Sequence, residues 1–503
     1  MDIIEGLTHI YDRSVGALNI AEPIWPQIII MLAVLLIPAV HMISKRKNVT
    51  AGFTLAMVSL AGALTVWQMH NAHYGVYMNL FSFDPFSGGM MVIFLTVAFL
   101  VVLISPAYSE TTNHHGEYYA LLMAVTAGMM FVASATDLIS IFIGVEVASI
   151  ASYALVALKK NDPRASEAAV KYLIIGGIST GLTLYGLSLV YGLTGSTQID
   201  VCAAYFTTAG FSWAYAVAFV TLIAGYGFKI AAVPFHMWAP DVYEGAATPV
   251  SSFLATGSKK MGIVVFLKIF LLIFLGTVMV PVPEIRWFFA ILAAVTMTVG
   301  NIVAISQTNI KRMLAYSSIA QAGYLLIVLA AASQYAVAAG MFHMITHIFM
   351  KGGAFIVVAA LITVGVGEKI SDYRGLAKRA PFVAFAMMIF MFSLAGIPPL
   401  GGFASKFFLF SSALYPVGGV FDGTWVWLVL VAVINSAISL FYYARVIKAM
   451  YVERGPDRTK LRIPRTHTFA LVICVVALIA TGFLFGYVLE WCERAAAALF
   501  GYV

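Results

Sequence analysis

Charge is scarce in this chain. Only 10% of its 503 residues are charged, 62% are hydrophobic, and the mean hydropathy is +0.95. A soluble domain carries about 25% charged and roughly 45–50% apolar residues. The deficit excludes a water-soluble globule, a disordered chain and a nucleic-acid binder. Cysteine is scarcer still. Cys202, Cys474 and Cys492 stand alone, with no CxxC between them. An iron–sulfur or zinc site within the chain is therefore not expected. No Walker A element occurs, and no dinucleotide fingerprint follows a strand, so no nucleotide or flavin site is expected either. The stretch Met1–Glu22 carries Asp2 and Glu5 where a signal peptide needs a basic region, so no secretory leader is expected.

Long apolar runs are what the chain has. A helical span needs about 20 mostly apolar residues. Fourteen such runs can be read, near 24–43, 51–70, 85–105, 117–135, 137–158, 166–193, 211–239, 248–276, 285–306, 312–332, 335–364, 381–413, 424–444 and 467–489. A membrane β-barrel would show short alternating segments instead. The loops test this count. Those after odd-numbered spans hold nineteen basic residues: Lys45, Arg46 and Lys47; Lys159, Lys160 and Arg164; Lys311 and Arg312; Lys369, Arg374, Lys378 and Arg379; and seven between Arg445 and Arg465, including Arg458. The other side holds only Arg13, Arg286 and Arg494. The positive-inside rule then places the rich side in the cytoplasm and both termini outside. The basic run Arg445–Arg465 could also bind anionic lipid, although setting the topology accounts for it.

Seven basic residues remain, all lysines within or at the ends of apolar runs: Lys171, Lys229, Lys259, Lys260, Lys268, Lys351 and Lys406. One acid, Glu146, lies near the middle of its span. A lysine at mid-bilayer costs about 2.5–3.5 kcal/mol even on a mild scale. Unlike arginine, it can shed its proton when desolvated, and so alternate between charged and neutral forms. That is what a proton carrier must do. Spacing places Lys229 and Lys259 at similar depth on consecutive antiparallel helices, their midpoint falling in the loop 240–248. Glu146 and Lys171 should likewise lie within a turn or two of one level. Snorkelling to the interface competes with these readings. It is the preferred one for Lys268, near a span end, and for Lys260, whose neighbour Lys259 faces another direction.

Span seven contains Lys229-Ile-Ala-Ala-Val-Pro234, where Pro234 cannot donate to the carbonyl of Ile230. Span twelve contains Gly396-Ile-Pro398-Pro399-Leu-Gly401-Gly402, with Lys406 following. Each half of the bundle thus has one interrupted helix beside a lysine. Spans seven and twelve run in opposite directions, as in inverted repeats with ion sites at broken helices. An ordinary proline kink is the alternative. Span eleven carries His343, His347 and Lys351, four apart and so on one helical face. Two histidines are too few for a zinc site. They read as a candidate relay along a hydrated path, or as histidines satisfied by backbone and water. Gly176, Gly177, Gly181 and Gly186 suit close helix packing.

Several strings carry a resemblance. They are Asp137-Leu-Ile-Ser-Ile-Phe-Ile-Gly-Val-Glu146, Phe228-Lys-Ile-Ala-Ala-Val-Pro-Phe-His236, Trp238-Ala-Pro-Asp-Val-Tyr-Glu-Gly245, Lys311-Arg-Met-Leu-Ala-Tyr-Ser-Ser318 and Ile397-Pro-Pro-Leu-Gly-Gly-Phe403. With them the chain resembles the antiporter-like membrane subunits of respiratory complex I, and among these the N type. The Pro-Asp-Val-Tyr element sets it apart from the L and M types and from Mrp Na⁺/H⁺ antiporter subunits, which remain the alternative. The triad His343, His347, Lys351 is closer to archaeal versions, including those of deazaflavin-linked dehydrogenases. Gln321 stands where many relatives have histidine.

The resemblance implies an all-α polytopic membrane fold with five-helix inverted repeats at spans four to eight and nine to thirteen. The corresponding segments are 1–110, 111–280, 281–450 and 451–503. It implies that Glu146 is the glutamate of span five, Lys171 a modulating lysine, Lys229 the central lysine, Lys259 the linking lysine and Lys406 the exit lysine. It further implies a proton-translocating subunit in a cell's inner membrane. K and M types would be its neighbours, and a peripheral redox arm would hold the iron–sulfur clusters, flavin and quinone. No cofactor is expected in this chain.

Overall fold

The computed structural model describes residues 22–108, 114–159, 162–208, 212–275, 283–416, 419–455 and 459–501. Arg13, Lys160 and Arg458, counted above as loop charges, lie outside the described residues, as do Asp2 and Glu5.

The chain is almost wholly helical. Six helices come first: α1 (Trp25–Ser44), α2 (Lys47–His70), α3 (Pro85–Ile104), α4 (His115–Ser134), α5 (Leu138–Ala157) and α6 (Pro163–Thr194). A short helix α7 (Ile199–Thr208) follows, which the apolar-run reading did not anticipate. Then come α8 (Trp213–Ile230), α9 (Trp238–Gly245), a continuous helical stretch α10 (248–274), α11 (Pro283–Ser306), α12 (Ile310–Ala331) and α13 (Gln334–Thr363). The last five are α14 (Pro381–Ala395), α15 (Gly401–Leu414), α16 (Val426–Tyr451), α17 (Arg465–Phe483) and α18 (Phe485–Leu499). One small hairpin, Gly75–Tyr77 with Phe81–Phe83, precedes α3.

Local chemistry sets the helix starts. Asp84, Asp137, Asp162, Ser212, Asn309 and Ser333 each accept hydrogen bonds from first-turn N–H groups. Proline occupies the opening turn of α1, α3, α6 and α14, where its missing N–H costs nothing.

Twelve described helices are long and apolar enough to cross a membrane. The other two expected spans are assembled from shorter pieces. In 248–276, α turns alternate with π turns at Leu254–Ser258 and Phe266–Phe274. In 381–413 the helix stops at Ala395 and restarts at Gly401. The final expected span, 467–489, is also divided, between α17 and α18.

The connections sort onto two faces, as the loop charges require. On one face Asn309 bridges Lys369 and bonds Glu244, so the links after α9, α11 and α13 meet. On the other, Phe81 bridges Ala135 and Asp137 bridges Gln198. Helix α12 is buried along nearly its whole length, whereas α6 keeps an open apolar flank. Of the four α6 glycines expected to pack, Gly176 abuts Tyr153 and Gly186 abuts Thr221 and Leu222, while Gly177 and Gly181 face open space. Only half of the expected glycine stripe is therefore used for packing within the chain.

Candidate functional site

The two expected breaks are full interruptions rather than kinks. Helix α8 ends at Ile230, with Ala231 in a left-handed conformation (φ 57°), and helix resumes at Trp238. Helix α14 ends at Ala395 with Gly396 at φ 89°. Pro234, Pro398 and Pro399 all lie in the gaps.

Lys229, the penultimate residue of α8, is buried, and its Nζ donates to Ser149 Oγ at 2.8 Å. Ser149 is one turn along α5 from Glu146. Glu146 accepts from Thr180 Oγ1 at 2.9 Å, and a small cavity between α5, α6 and α8 is lined by Glu146, Ser149, Thr180, Tyr226 and Lys229. The buried lysine and the carboxylate thus share one polar chamber, without an ion pair joining them among the described residues.

Lys171 is elsewhere. Thr180, which holds Glu146, is nine residues further along α6, roughly 14 Å along the axis. The expectation that Glu146 and Lys171 share a level within a turn or two is therefore corrected. Lys171 is partly exposed and pairs with Glu167 at 2.6 Å and Asp241 at 2.8 Å. Asp241 also receives Arg312 at 2.7 Å, which contacts Glu244 at 2.8 Å. Lys311 reaches Glu368 at 3.2 Å and the carbonyl of Glu244 at 2.6 Å. One charged cluster gathers four segments of the chain: α6, α9, the start of α12 and the link after α13. It explains the depth miss, because these carboxylates draw Lys171 to the surface.

Lys229 and Lys259 do lie at similar depth. A Cβ on Gly262 would stand 3.4 Å from the Lys229 carbonyl carbon, one turn from Lys259. Lys259 Nζ is buried 5.4 Å from the centre of the Tyr243 ring and has no hydrogen-bond partner among the described residues. Lys260 does not snorkel, contrary to expectation. It is buried, and its Nζ lies 3.0 Å from His347 Nδ1. Lys268 does not snorkel either. Its ammonium donates to the carbonyls of Ala133 and Ala135, both at 2.6 Å, closing the C-terminal end of α4. Both side chains are buried, and bonded partners inside the bundle hold them.

Of the span-eleven residues, His343 and His347 stay adjacent, their ring centres 6.1 Å apart, while Lys351 departs from them. His343 bonds Gln321 Oε1 at 3.0 Å and Ser405 Oγ at 3.1 Å. His347 turns to Lys260. Lys351 sits inside a π turn, Ile348–Gly352, which re-aims it to Ser317 and the carbonyl of Leu314 on α12. Lys406, next to Ser405, donates to the carbonyls of Leu394 (2.7 Å) and Ala395 (3.2 Å) and to Ser436 Oγ (2.9 Å). The Tyr324 ring lies 5.1 Å from its Nζ. Lys406 therefore sits at the negative end of the broken helix α14.

Ionisable groups thus stand at both breaks, Glu146 and Lys229 at one and Lys406 at the other, with Lys259, Lys260, His347 and His343 buried in the same core. Comparison with known proteins places the fold and these residues together. A family model described as "NADH:quinone oxidoreductase/Mrp antiporter, TM" matches residues 135–439. F(420)H(2) dehydrogenase subunit N of Methanosarcina mazei is 40% identical over 485 residues, covering 93% of this chain and 96% of that one. NADH-quinone oxidoreductase subunit N of Heliobacterium modesticaldum is 40% identical over 467 residues, covering 92% and 96%. The chain belongs to this family, in its N-subunit branch. A chain in the structure of respiratory complex I from Thermus thermophilus superposes with a TM-score of 0.78 at 29% identity, over 92% of this chain and 98% of that one. The matched region takes in both breaks and every midspan lysine named above.

Sequence reasoning missed several members of the site. Ser149 and Ser405 carried no signal beyond lying three residues after Glu146 and one before Lys406. Asp241, Glu244 and Arg312 were read within family strings, not as the cluster that holds Lys171 through Asp241. Gln321, read as a departure from the family, is a direct partner of His343.

Proposed function

We propose that this chain is the proton-translocating N-type membrane subunit of a complex I-like redox pump. One observation carries the reading: ionisable side chains stand at both helix breaks, and the core between them holds buried Lys259, Lys260, His347 and His343. Lys229 would exchange protons with Glu146 through Ser149 and the shared chamber. Lys259, Lys260, His347 and His343 would carry charge onward. Lys406 would release it beyond α14, with Ser436 as the next group. Lys351 and its Ser317 contact form a side branch. Lys171, held by Asp241 and Glu167, would modulate Glu146 only after leaving those partners.

On this reading the composite stretches 248–276 and 381–413 are crossings, giving fourteen spans. The five-helix units 111–280 and 281–450 act as paired half-channels. The basic face is cytoplasmic and both termini are extracytoplasmic, in a cell's inner membrane. Neighbouring K- and M-type subunits and a redox arm with iron–sulfur clusters, flavin and quinone would supply the driving reaction, with no redox centre in this chain. Each proton moved against 100 mV costs about 2.3 kcal/mol, which that reaction must supply.

The test uses the native assembly, isolated gently and sealed into vesicles. Reduced deazaflavin or NADH should reduce its clusters and acidify the lumen. Na⁺/H⁺ exchange without any electron donor, and no reducible clusters, would overturn the reading in favour of an Mrp-type antiporter.

A further inference from the structure

Adjacent residues on a helix point about 100° apart. The doublet Lys259–Lys260 therefore aims two buried ammonium groups in different directions. Lys259 turns to Tyr243, beside the first break. Lys260 turns to His347 on α13, whose next polar neighbour is His343 with its ring centre 6.1 Å away. His343 reaches Ser405, and Ser405 adjoins Lys406.

The manner of bonding separates Lys260 from a lysine that only fills space. Lys268 gives its protons to two backbone carbonyls, which never take them up. Lys260 has one hydrogen-bond partner among the described residues, and that partner titrates. An ammonium 3.0 Å from Nδ1 makes that nitrogen the acceptor, so the neutral ring carries its proton on Nε2. His347 Nε2 is buried with no partner among the described residues. The ring is thus open for a proton to enter at one nitrogen and leave at the other. Two π turns flank the pair: Leu254–Ser258 ends just before the doublet, and Ile348–Gly352 begins just after His347. The π turns also pack together, a Cβ on Gly352 meeting Thr256 at 3.6 Å. Such turns break helical regularity and mark places where a helix is shaped for a task.

We propose that Lys260, handing its proton to His347, is the junction through which a proton passes from the first half of the bundle to the second. The resemblance gives that linking role to Lys259. In the transfer Lys260 goes from ammonium to amine and His347 from neutral ring to imidazolium. Loss of the Nε2 proton toward His343, whose ring centre lies 6.1 Å away, neutralises the ring. Lys260 then reloads from the Lys259 side. The proposal rests on the proton-pump reading above.

The experiment compares Lys260→Met, His347→Gln, Lys259→Met and Lys229→Ala in the intact assembly in sealed vesicles. Protons moved per electron are measured alongside electron transfer to an artificial acceptor. Lys260→Met and His347→Gln should each lower protons per electron at least fivefold, with artificial-acceptor turnover unchanged. The double variant should be no worse than either single one. Wild-type pumping in either Lys260→Met or His347→Gln, with pumping lost in Lys229→Ala, would overturn the junction and leave the pump reading standing. Wild-type pumping in Lys229→Ala as well would sink the pump reading itself. Should Lys260→Met fail to assemble, His347→Gln decides alone.

Discussion

At the residue scale, buried lysines in this chain fall into two kinds, and their acceptors tell them apart. Lys268 closes the end of α4 through two carbonyls. Replacing it with Met leaves those acceptors unsatisfied, at a cost of about 1–3 kcal/mol. Lys268→Met is expected to lower the melting temperature of the assembly while leaving protons moved per electron unchanged. Lys406 also bonds helix-end carbonyls, but it touches Ser436 and lies beside Ser405, which bonds His343. Lys406→Met should lower both stability and pumping. Equal pumping in the two variants would erase the distinction. The sequence placed these lysines within apolar runs, with snorkelling expected for Lys268 and Lys260, and did not show what any of them bonded. Hydropathy counts residues along a run, whereas the partners of Lys260 and Lys268 lie 87 and more than 130 residues away.

At the element scale, the breaks were the most legible part of the site. Proline removes a donor, and Gly396 takes the positive φ that ends α14, so both gaps could be read from residue type alone. The π turns were not legible. They contain no proline, and Gly257 and Gly352 within them are not distinguished by type from the many other helix glycines. The second break also depends on contact too close for a side chain. A Cβ on Gly402 would fall 2.0 Å from the Ser393 carbonyl oxygen, at the junction of α14 and α15. Gly402→Ala must therefore displace backbone, and overpacking of this kind costs about 1–3 kcal/mol or more. It is expected to reduce the amount of assembled complex on native gels. Gly177→Ala and Gly181→Ala, which meet nothing within 4 Å, serve as the comparison and should assemble as the parent does. Loss of assembly in all three would show that packing around Gly402 is not special.

At the scale of the whole molecule, the all-α membrane architecture and the two-sided sorting of loops followed from apolar runs and basic residues. The meeting of four distant segments at one charged cluster did not. Lys311 and Arg312 were counted as loop charges and Asp241 and Glu244 stood within a family string, yet Arg312 alone holds two of the carboxylates. Arg312, Asp241 and Glu244 are partly exposed, so screening limits each of these pairs to about 1 kcal/mol. Arg312→Gln should leave assembly largely intact but free Asp241 and Glu244 to compete for Lys171. Pumping per electron is expected to fall severalfold more than stability would suggest, read as stoichiometry against melting temperature. Unchanged stoichiometry would mean the cluster only fastens the loops.

The central claim is that ionisable groups at the first break carry the transported proton. It is tested most directly by Lys229→Ala in the intact assembly sealed into vesicles, following lumen acidification while the iron–sulfur clusters are monitored by absorbance. Lys229 bonds Ser149 in the chamber it shares with Glu146, so its loss should abolish or strongly lower proton movement while the clusters remain present and reducible. Normal protons per electron in that variant would contradict the account.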